Sequence, residues 1–245
     1  MTPAGTLLAQ MRALPLASAT QIVGRSAPVI LAPHPDDEAI GCGGLISALT
    51  RAGVQPRLIF VTDGAGSHPN SRRFPPAALR ALRATEAREA ARLLGLHQDR
   101  IVFMGLADTA APKDGPALAE AVETIVAIVG ADRPAAVLAP WRHDPHGDHL
   151  AVHRMAVAVA RRIGARHLSY PVWGWTLACD VPLEDDAVAG WRLDIAADLE
   201  LKTQALEAHC SQVTGLIDDD PTGFRLDAAT QAKMLSDYET FLSNP

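Results

Sequence analysis

Pro28-Val29-Ile30-Leu31-Ala32-Pro33-His34-Pro35-Asp36-Asp37-Glu38 is the stretch that decides the fold. Its first five residues form a short, unbroken apolar run, the pattern of a strand buried on both faces. A turn rich in proline and acid follows, and then a run that reads as a helix from about Glu38 to Ala52. A buried strand feeding a helix through a short turn is the first half of a βαβ unit. The same alternation continues outward. Arg57 to Thr62 reads as a second strand, and residues 77–94 as a helix with apolar and charged residues at i, i+4 spacing. Ile101 to Met104 is a third strand. Pro116 to Val129 is a helix that opens on proline, where the missing N–H costs nothing. Ala135 to Ala139 and Leu150 to Ile163 repeat the pattern, and His167 to Trp173 closes it. The alternation predicts an α/β, three-layer αβα architecture with a mostly parallel sheet.

Residues 180–245 are less regular, with an edge strand expected near Trp191 to Ile195 and helices near Leu199 to Ala208 and Thr230 to Leu242. No repeat, low-complexity linker or composition shift interrupts the chain. Residues 1–245 therefore read as one domain, with 180–245 as its C-terminal extension.

Apolar residues make up 48% of the 245 and charged residues 20%, a balance that supports a core and excludes wholesale disorder. No apolar run approaches the roughly 18 residues of a membrane span. The N-terminal apolar run is broken by Arg12 and reads as a short amphipathic helix rather than a signal peptide. The expectation is a soluble, cytoplasmic protein with no membrane partner. Twenty-two basic residues against 28 acidic give a net charge of −6, and no basic block exceeds Arg72-Arg73 or Arg161-Arg162, which argues against nucleic acid. Cys42, Cys179 and Cys210 lie far apart, without the spacing of a disulfide framework or a cysteine zinc site.

Two segments carry chemistry: residues 32–38, after the first strand, and Trp141-Arg142-His143-Asp144-Pro145-His146-Gly147-Asp148-His149, after the fourth. Ligands of open α/β sheets bind beyond the carboxyl ends of the strands, where the strand order reverses. An order of 3-2-1-4-5 would bring both segments to one crevice. His34 and Asp37, three apart, fall on one side of a first helical turn, and His149 could join them. Two imidazoles and a carboxylate, with a position left for water, describe a catalytic zinc site. Asp36 is then placed as general base. His146, with Asp148 beside it to favour the cation, could steady an oxyanion or protonate a leaving amine. Taken singly, Asp36, Asp37, Glu38 and Asp148 could also be ordinary helix N-terminal acids. Six such residues at two converging strand ends are hard to assign to capping alone.

Elsewhere the signals are thinner. Gly41-Cys42-Gly43-Gly44 fails the GxGxxG spacing and reads as close helix–sheet packing. His97, His167 and His209 lack ligand-like company and read as structural. The polar stretch of residues 63–73 and Asp108 lie on the same side of the sheet as the two segments. Arg72 and Asp108 are the candidate substrate contacts; Trp141, Trp173 and Trp175 are nearby and of a type that packs on sugar rings, although tryptophan is more often core.

APHPDDEAIGCGG followed by HGDH resembles the PIG-L/LmbE family of zinc-dependent de-N-acetylases. The resemblance implies a Rossmann-like fold and hydrolysis of an acetamido group, usually on an N-acetylglucosamine-type sugar or sugar conjugate. It makes His34, Asp37 and His149 the zinc ligands, Asp36 the base, and His146 the oxyanion or leaving-group partner with Asp148 behind it. The stretches SHPNSR, YPVWGW and SQVTGLIDDDP are similar to a bacterial branch of the family. Where the family often reads HPDH, this chain has Gly147, which loosens the turn without removing a functional group.

Rival readings keep parts of this picture. A zinc amidase could act on another linear amide of a sugar or thiol conjugate. A non-catalytic sugar- or nucleotide-binding module could keep the fold, although a pure binder needs no general base. A non-haem iron oxygenase uses a similar two-histidine, one-carboxylate triad, but nothing in the sequence points to its co-substrate. A homo-oligomer is compatible with the composition.

Overall fold

The computed structural model describes residues 1–184 and 187–243. In chain order the elements begin with β1 (Thr2–Pro3), α1 (Ala4–Arg12), α2 (Ala19–Val23), β2 (Val29–Ala32), α3 (Asp37–Arg51) and β3 (Arg57–Thr62). Next come α4 (Pro76–Leu93), β4 (Ile101–Leu106), α5 (Gly115–Val129), β5 (Ala136–Pro140), α6 (Gly147–Ile163) and β6 (Arg166–Tyr170). The C-terminal part holds β7 (Pro182–Leu183), β8 (Gly190–Asp194), α7 (Leu199–Glu207), α8 (Cys210–Val213), α9 (Ala228–Met234) and β9 (Tyr238–Ser243).

Alternation along the strands builds the layers. Val29, Leu31, Ile59, Val61, Val137 and Ala139 belong to the core shared with α5 and α6. Their neighbours Ile30, Ala32, Leu58, Phe60, Ala136 and Leu138 belong to the core shared with α3, α4 and α7. Successive side chains of a strand point to opposite faces, so all-apolar strands demand helices on both. Burying each of these larger side chains contributes about 1.5–3 kcal/mol. The glycine run of α3 permits the close approach: a Cβ on Gly41 would lie 2.2 Å from the ring of Tyr170, and one on Gly44 2.5 Å from Ile195.

The seven-stranded sheet has the order β4-β3-β2-β5-β6-β9-β8. The first five strands are parallel, in the 3-2-1-4-5 order considered from the sequence. β2 and β5 lie side by side, with Val29 opposite Val137 and Ile30 opposite Leu138. The helix after β2 covers one face and the helix after β5 the other. This is the point where the winding reverses, and a crevice opens above it.

Residues 238–242, expected to continue a helix, instead form β9, antiparallel to both β6 and β8. Asp227 caps α9 by accepting the N–H of Thr230, and that helix ends at Met234. Tyr-Glu-Thr-Phe-Leu-Ser is short and mixed enough to suit either period. The open edge of β6 decides, because it offers a ladder of unpaired backbone groups. The strand expected at residues 167–173 ends at Tyr170, and Trp173–Thr176 form a 3-10 turn. The N-terminal helix buries Leu7, Leu8 and Met11 with Trp141, Leu183 and Leu242. No helix among the described residues is long and apolar enough to cross a membrane.

Candidate active site

The β2 end is a strained turn. Asp36 has φ 138°, a conformation that costs a residue with a side chain about 1–3 kcal/mol. Several contacts hold it. The Asp36 N–H donates to Glu38 Oε2 at 2.9 Å, and Arg83 Nη2 donates to the Pro35 carbonyl at 2.6 Å and to Asp36 Oδ2 at 3.2 Å. Glu38 is held in turn by buried His209, whose Nε2 lies 2.8 Å from Glu38 Oε1. Asp37 opens α3, and its Oδ2 accepts the N–H of His34 at 2.9 Å, which folds the two side chains together.

The β5 end is built more simply. His146 is the N-cap of α6; its Nδ1 accepts the backbone N–H of Asp148 at 3.2 Å, which leaves Nε2 to carry the proton. His149 lies one turn on, fully buried. Its Nδ1 donates to Asp144 Oδ2 at 3.0 Å, so the other nitrogen presents its lone pair. Asp144 is itself anchored by the N–H groups of Val172, Trp173 and Gly174.

The two ends converge. Asp37 Oδ2 lies 3.1 Å from His34 Nδ1 and 3.3 Å from His149 Nε2. That buried His149 nitrogen makes no well-formed hydrogen bond among the described residues. One nitrogen each of His34, His146 and His149 also falls within 4.8 Å of the others. Two imidazoles and a carboxylate could hold a metal ion, the donor types of a catalytic zinc site, and the His149 nitrogen without a well-formed hydrogen bond is open to one. His146 is close enough to be a further donor. His34 Nε2 makes a second cluster, 3.1 Å from both Asp108 Oδ1 and Asp148 Oδ2.

Charge follows geometry. Burial lowers the pKa of His34, but hydrogen bonds to Asp108, Asp148 and Asp37 outweigh it and hold the ring well above its ordinary range. Burial likewise opposes the cation of His149, yet the Asp37 charge and Asp144 raise it to about 9. Asp37 would be raised by burial but is driven far down by His149 and His34. A divalent ion would replace the protons on these two imidazoles. Asp36 is pushed up to about 6 by burial, with Arg83 opposing and the Asp37 charge adding.

His34, Asp36, Asp37, Asp108, His146, Asp148 and His149 thus meet in one place. Asp148 differs from expectation: its carboxylate does not stand behind His146 but faces His34 and accepts the N–H groups of Thr109 and Ala111. At the helix start its backbone, not its side chain, reaches His146. His146 is correspondingly not favoured as a cation; burial and the charges of His34 and His149 lower its pKa. Asp108 lines the cavity, but its oxygens are engaged by His34 and the Gly66 N–H. Arg72 is exposed and does not line the cavity; its N–H donates to Asp219 at 2.8 Å.

Two residues, Asp144 and Arg83, escaped the sequence reading, and the contact that gives the structural His209 its place was not visible there. Asp144 stands in a chemistry-bearing segment, and its place five residues before His149 was the available signal. Arg83 and His209 lie on distant helical stretches with no local pattern, and only packing reveals them. The cavity over the site is about 420 Å³, with Trp173, Phe224 and Pro69 giving it apolar walls and Gln212 and Thr222 polar ones. The segment of residues 67–73 forms one wall because Asp219 and Asp220 accept its backbone N–H groups and Phe224 donates to the Ser67 carbonyl.

Comparison with known proteins points the same way. The chain is similar to a 1D-myo-inositol 2-acetamido-2-deoxy-alpha-D-glucopyranoside deacetylase of Saccharomonospora viridis, at 28% identity over 230 residues, covering 74% of this chain and 83% of the relative. It is 35% identical over 147 residues to a 2'-N-acetylparomamine deacetylase of Streptomyces fradiae, covering 53% of this chain and 50% of that protein. The solved N,N'-diacetylchitobiose deacetylase of Pyrococcus horikoshii shares the fold at a TM-score of 0.67 and 22% identity, covering 96% of this chain and 89% of that one. Residues 29–160, more than half the chain, match the family PIG-L, GlcNAc-PI de-N-acetylase. With both strand-end segments inside that match, the chain belongs to the PIG-L family of de-N-acetylases, hydrolases of the N-acetyl amide bond.

Proposed function

We propose that this protein removes the acetyl group from a 2-acetamido sugar unit of a small conjugate, with zinc held by His34, Asp37 and His149. The observation that carries the reading is the approach of His34 Nδ1 and His149 Nε2 to a single oxygen of Asp37 across two strand ends. Zinc in that donor set would polarise the amide carbonyl and lower the pKa of a water.

The remaining steps belong to the chain's own residues. Asp36, with a pKa near 6, is ionised at neutral pH yet basic enough to take the proton of the attacking water. Arg83 aims that carboxylate and keeps it from turning away. Once protonated, Asp36 can return the proton to the amine nitrogen as the C–N bond breaks. His146, neutral with its proton on Nε2, donates a hydrogen bond to the carbonyl oxygen as negative charge grows there. Acetate and the free amine leave. The apolar walls of Trp173 and Phe224 suit one face of a sugar ring. Gln212, whose amide oxygen accepts no hydrogen bond among the described residues, supplies an acceptor for a hydroxyl. Relatives acting on acetamido sugars support the substrate class. We take residues 1–245 to work as one catalytic domain, because β8 and β9 extend the sheet that carries the site.

The test is elemental analysis of protein purified without chelator, followed by amine release from a panel of N-acetyl sugars. About one zinc per chain and turnover on that panel are expected. Iron in its place, or turnover confined to another amide, overturns the zinc or the substrate assignment respectively.

A further inference from the structure

A second cavity, of about 270 Å³, shares no lining residue with the one over the metal-ligating cluster. It is walled by α1, α3, α7, α9 and the paired strands β8 and β9. Ile40 and Gly41 alone of its lining fall within the family match, so it is built chiefly by the parts of the chain outside residues 29–160.

Its chemistry is cationic. Arg12, Arg192, Lys202 and Lys233 line it, against the single carboxylate of Glu239. Glu239 is already committed: Oε1 accepts the Gly44 N–H at 2.7 Å and Lys202 Nζ at 2.8 Å, and Oε2 accepts the Leu45 N–H at 2.8 Å. That neutralises Lys202 and leaves Arg12, Arg192 and Lys233 outside any ion pair among the described residues, Lys233 acting on Asp227 only at longer range. Arg12 lies over the ring of Trp175, at 5.3 Å. Arg192 lies over Tyr238, at 4.8 Å, and its Nε donates to the Leu14 carbonyl. Lys233 forms no hydrogen bond or ion pair among the described residues; the nearby Asp227 carboxylate is turned to the N–H of Thr230.

Three unneutralised cations around one concavity repel one another, and they do so in a chain whose net charge is −6. An anion in the cavity turns that repulsion into attraction. A ring beneath a guanidinium leaves its in-plane N–H groups free to meet oxygens. Two such forks and an ammonium suit a ligand with several anionic oxygens, which a lone carboxylate cannot satisfy. At about 270 Å³ the cavity lies just below the roughly 300–1,000 Å³ typical of drug-sized ligand sites, and it is too small for a dinucleotide.

We propose that this cavity is a binding site for a small phosphorylated anion, of the size of pyrophosphate or a sugar phosphate, separate from the site of deacetylation. The test is calorimetric titration of the zinc-loaded protein with inorganic pyrophosphate at constant ionic strength, repeated on two variants. Arg12→Gln/Lys233→Gln removes two exposed cations. Asp37→Asn disables the metal-ligating cluster, the other place where a phosphate could bind. The expected result is one pyrophosphate per chain for the unaltered protein and for Asp37→Asn. Affinity should be weakened about tenfold or more in the double variant, with its deacetylation rate unchanged and its ligand-free thermal midpoint no lower than that of the unaltered protein. Absence of saturable binding, or binding that survives the double variant and vanishes in Asp37→Asn, overturns the proposal.

Discussion

The two strand ends that meet over the sheet are held in different ways. At the β5 end, His146 caps its own helix and His149 is oriented by Asp144, five residues earlier. Most of that geometry is local. At the β2 end, Asp36 sits in a strained conformation and its restraints come from afar: Arg83 on α4, and His209 acting through Glu38. On the proposed reading the β5 end presents one zinc ligand, His149, while the strained β2 end presents two, His34 and Asp37, together with the base. Strain at the base has to be over-determined by its surroundings to persist. The difference predicts that remote substitutions damage the β2 end more than the β5 end.

Asp36→Asn should have the largest effect, lowering turnover by about 10²–10⁴-fold with metal content unchanged. Steady-state rates and elemental analysis check this together, and turnover near the unaltered level would remove Asp36 as base. Next comes His209→Ala, which leaves Glu38 buried without its partner and should cost about 3–5 kcal/mol of stability, read by denaturant unfolding. The pair also makes a prediction for the unaltered protein. Burial lowers the pKa of His209, but the Glu38 charge and hydrogen bond outweigh it, so the folded value is raised. Its stabilisation is therefore complete below the unfolded value of about 6.5 and is lost as pH rises through the folded value. Comparing unfolding of the two proteins across that window should show their difference shrinking as pH rises; a difference that grows would contradict the ion pair.

Asp144→Asn is expected to be milder, weakening zinc about 10–100-fold because His149 loses the group that fixes its orientation. A zinc-chelator competition assay reads this directly, and a loss far beyond that range would mean the β5 end is the more fragile one. The smallest effect belongs to Arg72→Ala. Its side chain is exposed and does not line the cavity, so catalytic efficiency should stay within about twofold, in line with surface substitutions of about ±0.5 kcal/mol. A tenfold rise in KM would return Arg72 to the substrate site.

Much of this architecture was legible before any coordinates. Five strands and the helices between them follow from apolar runs whose period and length admit few alternatives; the 3-2-1-4-5 order was only one arrangement the sequence allowed, and the structure supplied it. The strand-end segments named His34, Asp36, Asp37, His146, Asp148 and His149 because ligand-type residues were dense at places where this fold puts ligands. The C-terminal part was less legible. Residues 238–242 read as helix because their strand character depends on the free edge of β6, which is not written in their own sequence.

What the sequence by itself determined is the set of chemical groups and the layer architecture that carries them, both properties of local pattern. What only the tertiary structure decided is the pairing of those groups. Asp148 turned to His34 rather than His146, Arg72 was tied to Asp219, and Arg83 and His209 were brought to the base from positions 47 and 171 residues away from Asp36 and Glu38. Buried hydrogen bonds and charges must be satisfied by whatever packing places within about 3 Å, and sequence distance has no influence on that requirement.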